Sequence, residues 1–190
     1  MRINKYIAQS GFCSRRKADD YVISGRVKVN GKVVTMLGFE IRTKDKVTID
    51  DKLIKNDKLE YFKFYKPAGY ITTKEDDNGR RTIYDIIPKE YHHLNPVGRL
   101  DKDSTGLIIL TNDGNMAYEL THPSIKVSKV YYVRVEGDIT DDKLKKLTEG
   151  IEIEKGKIAY CNWKILEKDK NTTFFEITLN QGLNRQIRKM

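Results

Sequence analysis

The sequence predicts an α+β protein: a small N-terminal unit of helices with a hairpin, then a mixed, mostly antiparallel β-sheet with flanking helices. Three observations predict it. Apolar residues near the N-terminus recur at helical spacing and then alternate around Asn30-Gly31. Beyond residue 60, runs rich in β-branched and aromatic residues are interspersed with helical stretches at irregular intervals, which suits an α+β sheet better than regular βαβ winding. The charge is also uneven: residues 1–56 hold thirteen Lys and Arg against six Asp and Glu, a balance of +7, whereas residues 57–190 balance at +2.

The elements follow in order. Residues 3–8 carry a short helical pattern, and Gly11 ends it. Ser14 is a good N-cap for a helix through about Ser24, with Ala18, Tyr21 and Val22 on one face and Gly25 at the stop. Val27–Val34 alternates around Asn30-Gly31, a dipeptide that readily takes the positive φ angles of a type I′ turn. Lys46-Val-Thr-Ile completes the small sheet. The segment Asp50–Lys58 is charged and poor in apolar residues, so it reads as a connection. The expected division is therefore a domain at residues 1–55, a linker at 56–60 and a second domain at 61–190. In the second domain, strands are expected at Tyr61–Tyr65, Leu107–Thr111, Val130–Val135, Ile158–Leu166 and Thr172–Leu179. Thr140 can cap a helix running to Leu147 and closed by Gly150, and Gly114–Leu120 reads as helix.

Composition narrows the class. The chain has 190 residues, of which 38% are hydrophobic and 33% charged, which is a soluble globular balance. Cys13 and Cys161 lie far apart and suggest neither a disulfide framework nor a zinc site. His92, His93 and His122 show no metal-ligand spacing and read as surface or loop residues. No cofactor motif is present. There is no signal-peptide pattern and no apolar run of spanning length, so a cytoplasmic monomer with no metal and no membrane partner is expected.

Two constellations carry chemistry. Arg2, Lys5, Arg15, Arg16, Lys17, Arg26, Lys28 and Lys32 crowd a stretch whose only acids are Asp19 and Asp20. Arg15, Arg16 and Lys17 open a helix, where free backbone N–H groups already favour a phosphate. A solvated helix face is the competing explanation, and composition alone leaves the two even. The pattern Arg2-Ile-Asn-Lys-Tyr-Ile-Ala, Gly11-Phe-Cys-Ser-Arg-Arg-Lys-Ala-Asp and Gly25-Arg-Val-Lys-Val-Asn-Gly-Lys-Val resembles the small αL RNA-binding domain of a small-subunit ribosomal protein and of several RNA-modifying enzymes. That resemblance implies RNA binding by these residues.

The second constellation is Gly98-Arg-Leu-Asp-Lys-Asp-Ser-Thr-Gly-Leu-Ile-Ile-Leu-Thr-Asn-Asp-Gly114, a loop with Arg99, Asp101 and Asp103 that runs into an apolar strand. An Asp in such a loop is ordinarily a turn former. This segment, however, resembles the catalytic motif of the RsuA/RluB/RluE/RluF pseudouridine synthases almost residue for residue. Lys66-Pro-Ala-Gly69, Lys129-Val-Tyr131 and Gln181-Gly-Leu-Asn-Arg-Gln-Ile-Arg-Lys-Met190 resemble further motifs of that family, in the family's order.

The resemblance implies a pseudouridine synthase acting on ribosomal RNA without a cofactor. It makes Asp101 the catalytic carboxylate, Tyr131 the ring that stacks on the flipped base, and Arg188 the arginine that pairs with the aspartate. Arg99 would enter the space the base vacates, Ile187 would pack beneath the tyrosine, and Lys66, Pro67 and Gly69 would serve structurally. Attack at C1′, attack at C6 and abstraction of a sugar proton all remain open as routes. The details of the motifs favour a large-subunit over a small-subunit RNA. Family members continue beyond the last motif, so a chain ending at Met190 is expected to be C-terminally truncated, with Arg188 less firmly held. Two other readings stand beside this one: a non-catalytic RNA-binding or ribosome-assembly protein, and a hydrolase using Asp101 with Asp103. The run Lys74–Arg81 reads as a flexible polar loop, and its arginines are open to two readings, contact with RNA or simple solvation.

Overall fold

Ser14 caps the second helix as its position predicts, its hydroxyl accepting the Lys17 N–H at 3.3 Å. That helix, α2, spans Arg15–Ile23 and follows α1, Ile3–Gln9. Their apolar faces bury Ile3, Ile7, Ala18 and Val22 completely against a four-stranded antiparallel sheet. Its strands are β1 (Val27–Val29), β2 (Lys32–Val33), β3 (Val47–Ile49) and β4 (Lys52–Ile54), in the order β2-β1-β3-β4. Between β1 and β2, Asn30 and Gly31 both take positive φ, 52° and 81°, as a type I′ hairpin requires. The structure, a computed structural model, describes residues 1–55, 58–137 and 139–190.

Strand β4 corrects one expectation, because the segment read as a connection is partly sheet. Asp50 and Asp51 also take positive φ, 48° and 62°, and this second tight turn folds Lys52–Ile54 back on β3. Aspartate tolerates that conformation better than most residues, but a run of charge hid the turn. Of the linker placed at 56–60, residues 56 and 57 lie outside the described residues.

The chain divides into two units, Met1–Ala117 and Tyr118–Met190. The first also holds β5 (Tyr61–Lys66), β6 (Asn95–Pro96) and β7 (Gly106–Thr111), an antiparallel sheet ordered β5-β7-β6. Phe62 and Phe64 point from β5 to a core of Ile83, Tyr84, Ile87, Leu94, Ile108 and Leu110. Helix α3, Gly114–Thr121, contains the division between the units.

In the second unit, β8 (Lys129–Glu136), β11 (Asn162–Lys168) and β12 (Thr172–Leu179) form an antiparallel sheet ordered β11-β12-β8. Helix α4, Asp141–Glu149, buries Leu144 and Leu147 in the same core as Phe175, Ile177 and Leu179. The strand expected over Ile158–Leu166 is two strands. β9 (Ile151–Glu154) pairs with β10 (Lys157–Ala159), and β11 begins at Asn162. The break has a cause: the Tyr160 N–H donates to Gln181 Oε1 at 2.9 Å and the Cys161 N–H to the Leu147 carbonyl at 3.0 Å, so neither joins a ladder. The last turn, α5, is Gln186–Lys189. Every pairing between these strands is antiparallel, and an isolated parallel bridge joins Ile71 to Thr82. Among the described residues no helix is long and apolar enough to cross a membrane.

Candidate active site

Asp101 is half-buried on the loop between β6 and β7, and that loop is held on both sides of it. Before it, the Thr72 hydroxyl donates to the Leu100 carbonyl at 2.9 Å and accepts the Leu100 N–H at 3.2 Å. After it, the Gly69 N–H donates to the Lys102 carbonyl at 2.8 Å, and the Ser104 N–H closes a turn on the Asp101 carbonyl at 3.1 Å. Gly69 has φ +91°, a conformation that side chains disfavour.

Beneath the turn lies Lys66, whose side chain is completely buried. Its ammonium donates to the carbonyls of Pro67, Lys102 and Ser104 at 3.0, 3.1 and 2.7 Å. Three carbonyl dipoles thus replace water around a buried charge. Burial pushes the Lys66 ammonium below its ordinary value, while Asp103 and then Asp101 pull it back up. Lys66, Pro67 and Gly69 thus all bond, directly or through one another, to the loop that carries Asp101. Thr72 was missed, since nothing in the local pattern separates it from Thr73 beside it. Arg99, Lys102 and Asp103 are exposed.

In the second unit, Tyr131 lies half-buried on β8 opposite Ile177 of β12, and packs with Val133 and Val135 on the core of that unit. Ile187 and Met190 join the same core, and Arg188 is exposed on α5. Two glutamines, which the sequence did not single out, seat α5. Gln186 is buried, accepts the Leu183 N–H at 3.1 Å, and donates to Gln181 Oε1 at 3.2 Å and the Tyr160 carbonyl at 3.4 Å. Gln181 in turn donates to the Ile158 carbonyl at 3.2 Å. Glu154 binds Lys189 of α5 and Lys157 of β10, and these two ammonium groups hold its carboxyl at about 2.

The N-terminal cations divide into two groups. Arg26 grips Asp50 with two bonds of 2.8 and 2.5 Å and lies 4.4 Å from the Tyr21 ring centroid, and Lys28 pairs with Asp51 at 2.5 Å. Lys5 donates to Asn115 Oδ1 at 2.5 Å. Arg2, Arg15, Arg16, Lys17 and Lys32 are exposed.

His92 and His93 are half-buried in the loop before β6, with ring nitrogens against the Ile87 and Glu90 carbonyls at 2.9 and 2.8 Å. His122 is exposed. The loop Lys74–Arg81 is tied rather than loose, because the Asp76 carboxylate accepts the N–H groups of Asn78 and Arg80 and the Arg80 guanidinium, which holds its carboxyl at about 2. Among the described residues no group of three His, Cys, Asp or Glu side chains could hold a metal ion.

Known proteins resemble the chain along its whole length. The model of the RNA pseudouridylate synthase family matches residues 60–190, and that of the S4 domain matches residues 1–56. The chain is 40% identical over 191 residues to the "Ribosomal large subunit pseudouridine synthase B" of Bacillus subtilis, which covers all of this chain and 78% of that relative. It is 39% identical over 191 residues to an "Uncharacterized RNA pseudouridine synthase" of Aquifex aeolicus, covering all of this chain and 77% of that one. A solved structure titled "Crystal structure of pseudouridylate synthase" superposes with a TM-score of 0.65 at 27% identity, over all of this chain and 81% of the other.

Proposed function

This chain belongs to the RNA pseudouridylate synthase family, and from that premise we propose that it isomerises a uridine of large-subunit ribosomal RNA with Asp101 as its catalytic carboxylate. The observation that carries the assignment of Asp101 is the loop itself. The backbone on either side of the half-buried Asp101 is fixed, by Thr72 before it and by Gly69 and Lys66 after it, which supports the residue as a reacting group needs.

The reaction breaks the N1–C1′ bond, turns the base and rejoins it through C5, whose proton is lost as N1 gains one. A stacked base is out of reach, so the uridine must leave the stack, at a cost of a few kcal/mol. In our reading Arg99, two residues from Asp101 and exposed, fills the vacated space. Tyr131 stacks on the base and Arg188 keeps the carboxylate charged. The support for those two roles is the match of Lys129-Val-Tyr131 and of the segment ending at Met190 to the family's motifs. Residues 1–55 would dock the RNA and residues 61–190 carry out the chemistry, in a cytoplasmic monomer; the match of the S4 domain to residues 1–56 supports the first part.

Tritium release from large-subunit ribosomal RNA transcribed with 5-³H-uridine tests the proposal. The chain should release tritium, and Asp101→Asn should bind the RNA but release none. No release from either would leave an RNA-binding protein, and equal release from both would remove Asp101 from the chemistry. Mapping carbodiimide-reactive pseudouridines in both ribosomal subunits, from cells with and without the protein, assigns the substrate. A difference confined to the small subunit would overturn that part.

A further inference from the structure

Segment Gly69–Thr72 runs alongside Leu100–Lys102, since Gly69 bonds Lys102 and Thr72 bonds Leu100. Tyr70 and Ile71 therefore lie beside Asp101. Ile71 is also the root of the loop that follows: its N–H donates to the Arg81 carbonyl at 2.9 Å, and its own carbonyl accepts the Ile83 N–H at 3.0 Å. Arg81 is thereby brought back over the start of its own loop, and its guanidinium lies 5.8 Å from the centroid of the half-buried Tyr70 ring.

The loop carries three cations, and they are engaged differently. Lys74 donates to the His93 carbonyl at 3.1 Å. Arg80 is committed to Asp76, at 2.5 Å. Arg81 is exposed, and the partner its side chain meets among the described residues is an aromatic face. Such a face orients a guanidinium plane without consuming its N–H groups, and leaves its other side open. Unpaired RNA bases stack on planes of this kind, including arginine, at about 1–3 kcal/mol per base.

We infer that Arg81, backed by Tyr70, is a stacking station for an unpaired nucleobase next to the uridine that Asp101 isomerises. This deepens the reading given above and rests on it. A neighbouring base seated there, on a segment hydrogen-bonded to both sides of the Asp101 loop, would be placed in register with the carboxylate. Arg81 would thus be a positioning residue that helps to select the sequence or structure around the target.

The test compares the chain with Arg81→Ala, Arg81→Lys and Tyr70→Leu, using the ³H-labelled large-subunit transcript under single-turnover conditions, with equilibrium binding measured in an Asp101→Asn background. A stacked base predicts that Arg81→Ala raises the half-saturating RNA concentration about tenfold, the size of one stacking contact. The rate at saturation should change far less. Arg81→Lys, which keeps the charge but lacks the plane, should recover less than half of the loss, and Tyr70→Leu should fall between wild type and Arg81→Ala. Wild-type binding by Arg81→Ala, or full recovery by Arg81→Lys, would overturn the inference, the latter by indicating a phosphate contact. The binding measurements do not depend on Asp101 chemistry, so tritium release that survives Asp101→Asn would sink the catalytic assignment alone.

Discussion

A lysine with no exposed surface is costly unless its charge is solvated from within, and Lys66 is solvated by three carbonyls, that of Pro67 and two from the loop after Asp101. Replacing it with methionine keeps the volume but strands those acceptors. We expect Lys66→Met to lose about 2–4 kcal/mol in urea unfolding, since hydrogen bonds to a charged donor are lost and buried acceptors go unpaired. Tritium release should fall as well, because the Asp101 loop is no longer pinned from below. Glu154 is the counterpart in the second unit. Its carboxyl sits at about 2 against an ordinary 4.5, with Lys157 the larger cause and Lys189 the next. A depressed carboxylate stabilises most fully above its ordinary value, and that contribution is lost as pH falls from about 4.5 through about 2. Protection of the α5 amides, measured against their intrinsic exchange rates at each pH, should fall over that interval, and Glu154→Gln should show the lower protection already at neutral pH.

Secondary-structure elements depend on positions where one atom decides the path. Gly150 ends α4 at φ +112°, and a Cβ there would lie 2.6 Å from the Tyr160 ring and 2.8 Å from Ile158 Cγ2. Both neighbours belong to the stretch that seats the glutamines of the last motif. Gly150→Ala should therefore cost about 2–3 kcal/mol by overpacking and backbone strain together, read from the urea midpoint at constant m-value. The β1–β2 hairpin was legible because Asn30-Gly31 announces its own turn. The β3–β4 hairpin was not, because Asp50 and Asp51 look like linker charge until Arg26 and Lys28 are seen beside them. The strand expected through Tyr160 was likewise continuous in pattern, and it breaks only because Gln181 and Leu147 capture two of its N–H groups.

At the scale of the whole molecule, the excess charge lies in the N-terminal residues, but formal charge overstates what RNA can use. Each phosphate contact contributes about one unit to the slope of log affinity against log salt. Replacing Arg15, Arg16 and Lys17 together by alanine should lower that slope by roughly 2–3 in filter binding of the ribosomal transcript. Arg26→Ala and Lys28→Ala should each lower it by less than about one, since Asp50 and Asp51 already neutralise those cations. Equal effects from both groups would show that RNA displaces the aspartates.

The sequence by itself determined the periodicities, the first hairpin, the helix that Ser14 caps (Thr140, expected to cap α4, makes no side-chain cap bond) and the motifs that mark the family and single out Asp101. These are local properties: a turn dipeptide, a cap or an alternating run is decided by residues a few positions apart. Tertiary structure alone decided which buried polar groups find partners. Lys66 meets carbonyls 36 and 38 residues away, Thr72 brackets a residue 28 away, and Gln186 reaches back 26 to the Tyr160 carbonyl. A buried donor or acceptor must be satisfied somewhere, but its own neighbourhood in the chain does not say where.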